Sequence, residues 1–445
     1  MCRIGSSTIP LASLGRPRRV HRLRPIDRSR VHRPDLRRLR GTDDGRPQEK
    51  DFQGQGPEPQ GGRLDPEPCI PKRLPALQRH KAPAPCLREL WLVRRSSGHR
   101  RRLTGVPSGR CWPTRPSPPL TMLPIAVDAM GGDHAPSEIV AGARTAADDG
   151  IPVVLVGRPD ELGDTGDLEV IEASEVIAMD AEPGSSVRRM KDSSLVRAAE
   201  AVRDKRASAM VSAGNTGATM ASALLRMGRI PGVARPAIAT LIPTPGSTPT
   251  VLLDSGANAE CQPEWLVQFA QMGAVFANHR LGITAPRVAL LSIGEEPGKG
   301  SPFVKDAYGA LEVAAIGGAE FIGNVEGRDL MTDGVDVIVT DGFTGNVALK
   351  TAEGALKALL TALLTAMAGR PEALEAADVL APELDGLYRE FHPDTYGGAM
   401  LLGVKGVCII SHGSTNANAM RNAIGVASEM VRADVVGHLT TAVAS

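Results

Sequence analysis

From Met122 onward the chain is punctuated by short apolar runs without polar alternation: Leu123–Val127, Ile151–Val156, Ala209–Ser212, Thr250–Leu253, Arg287–Ile293, Val335–Thr340 and Val407–Ser411. Strands buried on both faces read this way. Each run ends in a turn rich in Gly, Asn, Asp, Ser or Thr and leads into a stretch with helical spacing, the first at Ser137–Asp149. The repeated strand, turn and helix predict an α/β fold of three layers, α/β/α, around a mostly parallel sheet. Ligands of such sheets bind outside the carboxyl ends of the strands. That rule gathers the polar turns into one ring. The longest uncharged run, Pro236–Leu253, carries Pro243, Pro245, Gly246 and Pro249 and is therefore no membrane-spanning helix.

Charge divides the chain at the same point. The formal net charge of the 445 residues is +1, but residues 1–121 carry 27 Lys+Arg against 10 Asp+Glu, while residues 122–445 carry 24 against 40. The first segment is Arg- and Pro-rich, without a helical or strand period, and nothing in it can offset the entropy of ordering. It reads as a disordered extension, or as a GC-rich frame translated ahead of the true start at Met122. A nucleic-acid-binding arm and a targeting peptide compete with that reading. Residues 122–445 are long enough for a real core and read as one catalytic domain. With only Cys261 and Cys408 there, a disulfide scaffold is excluded.

The turns carry the candidate chemistry. Glycine admits backbone N–H groups close to a ligand, and a helix start favours an anion. Candidates for substrate binding are Asp128, Gly131 and Gly132; Asn215, Thr216 and Gly217; Asp254 and Asn258; Glu295; Asp341, Thr344 and Gly345; and His412 with Ser414. Singly, each turn is equally well a helix cap. Together they suggest a pocket for a phosphorylated or acyl ligand. There is no Walker loop or GxGxxG fingerprint for a nucleotide, no HExxH or CxxC metal spacing, and no cofactor is implied. Lys299, flanked by glycines in Gly294–Gly300, suits an anion. The Asn346 amide suits an oxyanion, or else caps a helix starting near Val347. His134 could protonate a leaving group, or bond a backbone carbonyl. Asp128 orients its own turn or fixes a histidine tautomer. Neither cysteine looks like a nucleophile.

The string IAVDAMGGDHAP at 125–136 resembles the N-terminal signature of bacterial phosphate acyltransferases, the acyl-carrier-protein:phosphate transacylases of phospholipid synthesis. VSAGNTGATM, LLDSGANAECQPEWLVQFAQMG, SIGEEPGKG, FIGNVEGRDL, VIVTDGFTGNVALK, YGGAMLLGVKG and HGSTNANA resemble the same family in the same order. The resemblance covers residues 123–440. It implies a fold like that of phosphotransacetylases and isocitrate-dehydrogenase-like enzymes, a homodimer in the cytoplasm, and fatty acyl transfer from acyl carrier protein to inorganic phosphate. It also implies that Lys299 and Asn346 are active-site residues. An acetyl-type phosphotransacetylase using acyl-coenzyme A and a nicotinamide-dependent oxidoreductase are the alternatives.

Two surface features concern partners. Arg188, Arg189 and Lys191, with Arg197 nearby, form the densest basic group after Met122 and suit an acidic carrier protein, unless they are only a solvated helix start. Leu356, Leu360, Leu363, Leu364 and Met367 form one helical stripe. In the resembling family a helical hairpin here makes dimer and peripheral membrane contacts. The acidic stretch that follows, Glu372, Glu375, Asp378, Glu383 and Asp385 against Arg370, favours protein packing over lipid.

A chain beginning at Met122 is expected to match the full chain in thermal unfolding and turnover; loss of either would make residues 1–121 structural.

Overall fold

The computed structural model describes residues 122–444, except 369–372, 374–378, 381–385, 387–389 and 392. Residues 1–121 and the acidic stretch after Ala368 thus lie outside the described residues. The described strands are β1 (Ile125–Asp128), β2 (Val153–Gly157), β3 (Glu169–Glu172), β4 (Ala209–Ser212), β5 (Ala237–Ile242), β6 (Thr250–Leu253), β7 (Arg287–Leu291), β8 (Glu320–Val325), β9 (Val337–Val339), β10 (Ala399–Leu402) and β11 (Val407–Ile410). They form one sheet in the order β3-β2-β1-β4-β11-β10-β5-β6-β9-β7-β8. All seven expected strands form. β1, β2, β4, β6, β9 and β11 are buried throughout, as unalternated apolar runs require.

The sheet is mostly parallel, but it consists of two parallel sets that run in opposite directions. β3, β2, β1, β4 and β11 form one set, and β6, β9, β7 and β8 the other. β10 and β5 lie between them, each antiparallel to both neighbours. The expectation of a single ring of turns is therefore corrected: the carboxyl ends of the two sets point to opposite edges. Register offsets this reversal. Val211, Ile409, Met400 and Ala239 lie in one row across the sheet, and the next residue, Thr240, faces Leu252. The last residues of β4 and of β6 thus stand at nearly the same height.

Helices cover both faces. α1 (Ser137–Asp148), α5 (Pro263–Leu281), α6 (Pro302–Val313), α8 (Ala417–Arg432) and α9 (Val435–Ala444) pack on one face around Ile139, Phe269, Leu311, Ile424 and Leu439, a single continuous core. The other face carries two separate cores. α2 (Pro183–Arg189), α3 (Ser194–Arg203) and α4 (Thr216–Ser222) cover Val154, Met210 and Ile238. α7 (Gly342–Ala368) brings Ala348 and Leu349 against Leu252, Ala289 and Ile338. β5 shows where this face divides: Ile238 belongs to one core and Ile242 to the other. Between them Thr240 Oγ1 and Ser255 Oγ are 2.6 Å apart. A polar break in an otherwise apolar layer is where a site can open.

Candidate functional site

On one side of this break the β6 loop and α7 are knotted together by Asp254. Its carboxylate, fully buried, accepts from the backbone N–H groups of Ile238 at 3.0 Å, Gly256 at 3.1 Å, Ala257 at 2.9 Å and Asn258 at 2.8 Å, and from Asn258 Nδ2 at 2.9 Å. Burial raises its carboxyl above the ordinary value against the pull of these donors. Asn258 Nδ2 also donates to Pro236 O at 2.8 Å, and Gly342 N–H donates to Asn258 O at 2.8 Å. Asp254 and the Asn258 amide are thus occupied in shaping the loop. Gly345 has no alternative, because a Cβ there would collide with the Asp254 carbonyl oxygen.

This knot presents Asn346. α7 begins at Gly342, and Asp341 caps its first turn, accepting from Thr344 N–H at 2.8 Å and Thr344 Oγ1 at 2.7 Å. Asn346 therefore lies inside the helix rather than capping one that starts near Val347. Its Cγ is 3.6 Å from where a Cβ on Gly256 would stand, and no hydrogen bond holds its amide among the described residues. Asp341 and Thr344 are committed to the cap.

The Lys299 loop leaves β7, the strand next to β9, at the same edge of the sheet. Lys299 is half-exposed and only loosely paired, with Nζ 3.9 Å from Glu296. Its N–H donates to Glu296 O at 3.0 Å, and buried Asn324 pins the same oxygen through Nδ2 at 2.9 Å. Asn324 was not among the expected site residues, although it sits in the quoted FIGNVEGRDL string. Glu295 is held by Arg328 at 2.9 Å.

The turns of the other set form a second cluster. Asp128 is buried and accepts from Ser212 Oγ at 2.7 Å, with further bonds from Met130 N–H and the Ser194 side chain; burial raises its carboxyl. It orients its turn and touches no histidine. Gly131 packs where a Cβ would meet the Asp128 carboxylate at 2.6 Å, and Gly132 has φ +115°. Asn215 caps α4, accepting from Ala218 N–H at 2.9 Å, while its Nδ2 donates to Met179 O and Ala181 O, so its amide is spent on structure. Thr216 opens α4. His412 Nδ1 is 2.8 Å from Ser414 Oγ and accepts from Ser414 N–H, which places a neutral ring's proton on Nε2. His134 is exposed, and among the described residues its ring bonds no carbonyl. β1, which leads to His134, lies six strand spacings from β9, roughly 29 Å of sheet. Among the described residues no hydrogen bond or ion pair joins His134 or His412 to Lys299 or Asn346.

One pocket joins the two sets. It has a volume of about 210 Å³ and is lined by Gly217, Met220, Ala221 and Leu224 on one side, Ala257 and Asn258 on the other, with Arg235, Pro236 and Leu401 completing it. Of the expected residues, only Gly217 and Asn258 share it. Cys261 and Cys408 are both pushed up to about 12 by burial, so neither is a thiolate near neutral pH. Among the described residues no group of His, Cys, Asp and Glu is placed to hold a metal ion, and no helix is long and apolar enough to cross a membrane.

The basic cluster differs from expectation in two ways. Arg188 and Arg189 end α2 instead of starting a helix, and α3 begins separately at Ser194. Arg197 is neutralised by Asp192 and Glu200. Arg188, Arg189 and Lys191 are exposed and make no ion pair among the described residues. α2 packs on α4, with Pro183 Cγ 2.6 Å from where a Cβ of Gly217 would be.

Residues 123–438 match the model of a family described as fatty acid synthesis protein. Phosphate acyltransferase of Heliobacterium modesticaldum is 49% identical over 322 residues, 70% of this chain and 95% of that protein. Phosphate acyltransferase of Desulforudis audaxviator is 47% identical over 318 residues, 70% and 94%. The chain belongs to the phosphate acyltransferase family. It is an acyltransferase enzyme, and the matching segment excludes residues 1–121. A phosphotransacetylase structure from Streptococcus pyogenes is 16% identical, with a TM-score of 0.48 over 70% of this chain and 94% of that one.

Proposed function

We propose that this acyltransferase moves a fatty acyl group from acyl carrier protein to inorganic phosphate, giving an acyl phosphate for phospholipid synthesis. The observation that carries the reading is the pairing, at one edge of the sheet, of a loosely held Lys299 on a glycine loop with an uncommitted Asn346 amide on the next strand's helix. Lys299 holds phosphate. A phosphate oxygen attacks the thioester carbonyl, the new C–O bond forms, and Asn346 donates to the carbonyl oxygen as it charges, a contact worth about 3 kcal/mol in the transition state. The C–S bond then breaks, and the proton of hydrogen phosphate ends on the departing thiol. Atoms and charge balance without a separate acid. Neither cysteine offers a thiolate to carry the acyl group, which favours direct attack.

Two surfaces support the partners. The unpaired Arg188, Arg189 and Lys191 lie on the helix that packs against α4 and fit an acidic carrier. Phe343, Val347, Leu359, Leu360, Leu363 and Leu364 are exposed along α7, an apolar face that a second copy of the chain would cover, with a lipid surface as its competitor.

Mixing with acyl-acyl carrier protein should release the free carrier only when phosphate is present, with no acyl adduct on the protein by mass spectrometry. Lys299→Ala and Asn346→Ala should each lower kcat/KM by about 10²-fold or more with the fold intact. Turnover with acyl-coenzyme A alone, or near-normal variants, would overturn the reading. Changing Arg188 and Arg189 to Glu should raise KM for acyl carrier protein and flatten its salt dependence, leaving KM for phosphate and the maximal rate nearly unchanged; a collapse of kcat instead would move the arginines into the catalytic pocket. In sedimentation velocity the protein should run as a dimer that Leu360→Glu with Leu364→Glu dissociates; a monomeric parent would leave α7 to lipid.

A further inference from the structure

The pocket between the two parallel sets is not used by the scheme above. Its wall is one face of a helix: Gly217, Met220, Ala221 and Leu224 are spaced i, i+3, i+4, i+7. At Ala223 α4 passes into a π-helical turn running to Met227, a widening that recurs at functional sites. Leu401 and Ala257 complete a mostly apolar slot. Ala257 follows Gly256, the residue against Asn346, so this end of the slot adjoins the amide assigned to the oxyanion. A cation also lines the pocket. Arg235 lies 5.1 Å from the centre of the Trp265 ring and has no carboxylate partner among the described residues.

An apolar slot that ends beside the Asn346 amide calls for a ligand with an apolar tail carried on the reacting carbonyl. Resting on the reaction proposed above, we infer that this slot holds the acyl chain, with the reacting carbonyl at the Ala257 end beside Asn346 and the phosphate at Lys299. An acetyl group would leave Met220, Ala221 and Leu224 uncovered, whereas a long chain buries them. The slot is then a determinant of chain length, set by side chains that take no part in the chemistry.

Non-hydrolysable alkylphosphonates test this by calorimetry, independently of turnover. Octylphosphonate should bind at least tenfold tighter than ethylphosphonate, with a negative heat-capacity change from apolar burial. Ala221→Phe should abolish that gain and leave ethylphosphonate binding unchanged. Leu224→Ala, which cannot overpack the slot, should shift the preference toward decylphosphonate; differences of about tenfold are usual for pocket changes of this size. Equal binding of octyl- and ethylphosphonate would overturn the inference. So would an unchanged chain-length preference in Leu224→Ala, whether or not Ala221→Phe folds. Normal octylphosphonate binding by a protein that cannot release carrier from acyl-acyl carrier protein would support the slot while refuting the donor assigned above.

Discussion

The Asp254 carboxylate is the fastening on which this architecture depends. Five N–H donors converge on it from the start of β5 and from the loop after β6. Burying an isolated carboxylate costs several kcal/mol, and hydrogen bonds to a charged group return about 1.5–3 kcal/mol each. The burial is tolerable only while every donor stays in place. Asp254 therefore fixes the whole path of residues 254–258, and three consequences follow from that path. Gly256 meets Asn346, Asn258 O receives the first N–H of α7, and Ala257 becomes a wall of the pocket. The position of the Asn346 amide and the pocket wall are set by one buried carboxyl group.

The second constraint is the reversal at β10 and β5. Two parallel sets running oppositely would separate their ligand-binding ends if their strands were level. Because the row through Val211, Ile409, Met400 and Ala239 carries β4 nearly to the height at which β6 ends, the last residues of these two strands stand level. There the apolar layer breaks at Thr240 and Ser255. A doubly wound sheet with a single direction gathers its polar turns along one edge; here the turns after β4 and β6 come level beside that break from opposite directions.

The sequence was legible where strands are buried on both faces and opaque where they are not. β3, at the sheet edge, is only Val170 and Ile171 between exposed Glu169 and Glu172, and β8 begins with exposed Glu320, so neither forms a continuous apolar run. β5 lay within Pro236–Leu253, whose prolines argued against a helix without marking a hairpin between β5 and β6. β10 is four residues long and was visible only as part of a motif. The two strands that reverse the sheet were thus among those without a clear pattern, and that is why the turns read as one ring. Site residues divided along similar lines. Asn215, Asp254 and Asn258 have the right chemistry for ligands, but their polar atoms are spent on backbone groups, a partnership that spacing along the chain does not reveal. Lys299 and Asn346 stayed free of such partners.

The link between docking surface and pocket runs through a missing side chain. The folded part carries excess negative charge, but at physiological ionic strength fields fade over about 8 Å, so local charge governs the meeting with any acidic partner. Arg197 contributes little, being matched by Asp192 and Glu200, whereas Arg188, Arg189 and Lys191, at and just past the end of α2, make no ion pair among the described residues. α2 stays against α4 because Gly217 leaves room for the Pro183 ring. Any larger residue at 217 would push the start of α2 away from α4 and, with it, the basic turn away from the pocket. The basic turn and the pocket are then spaced by the contact of one proline with one glycine.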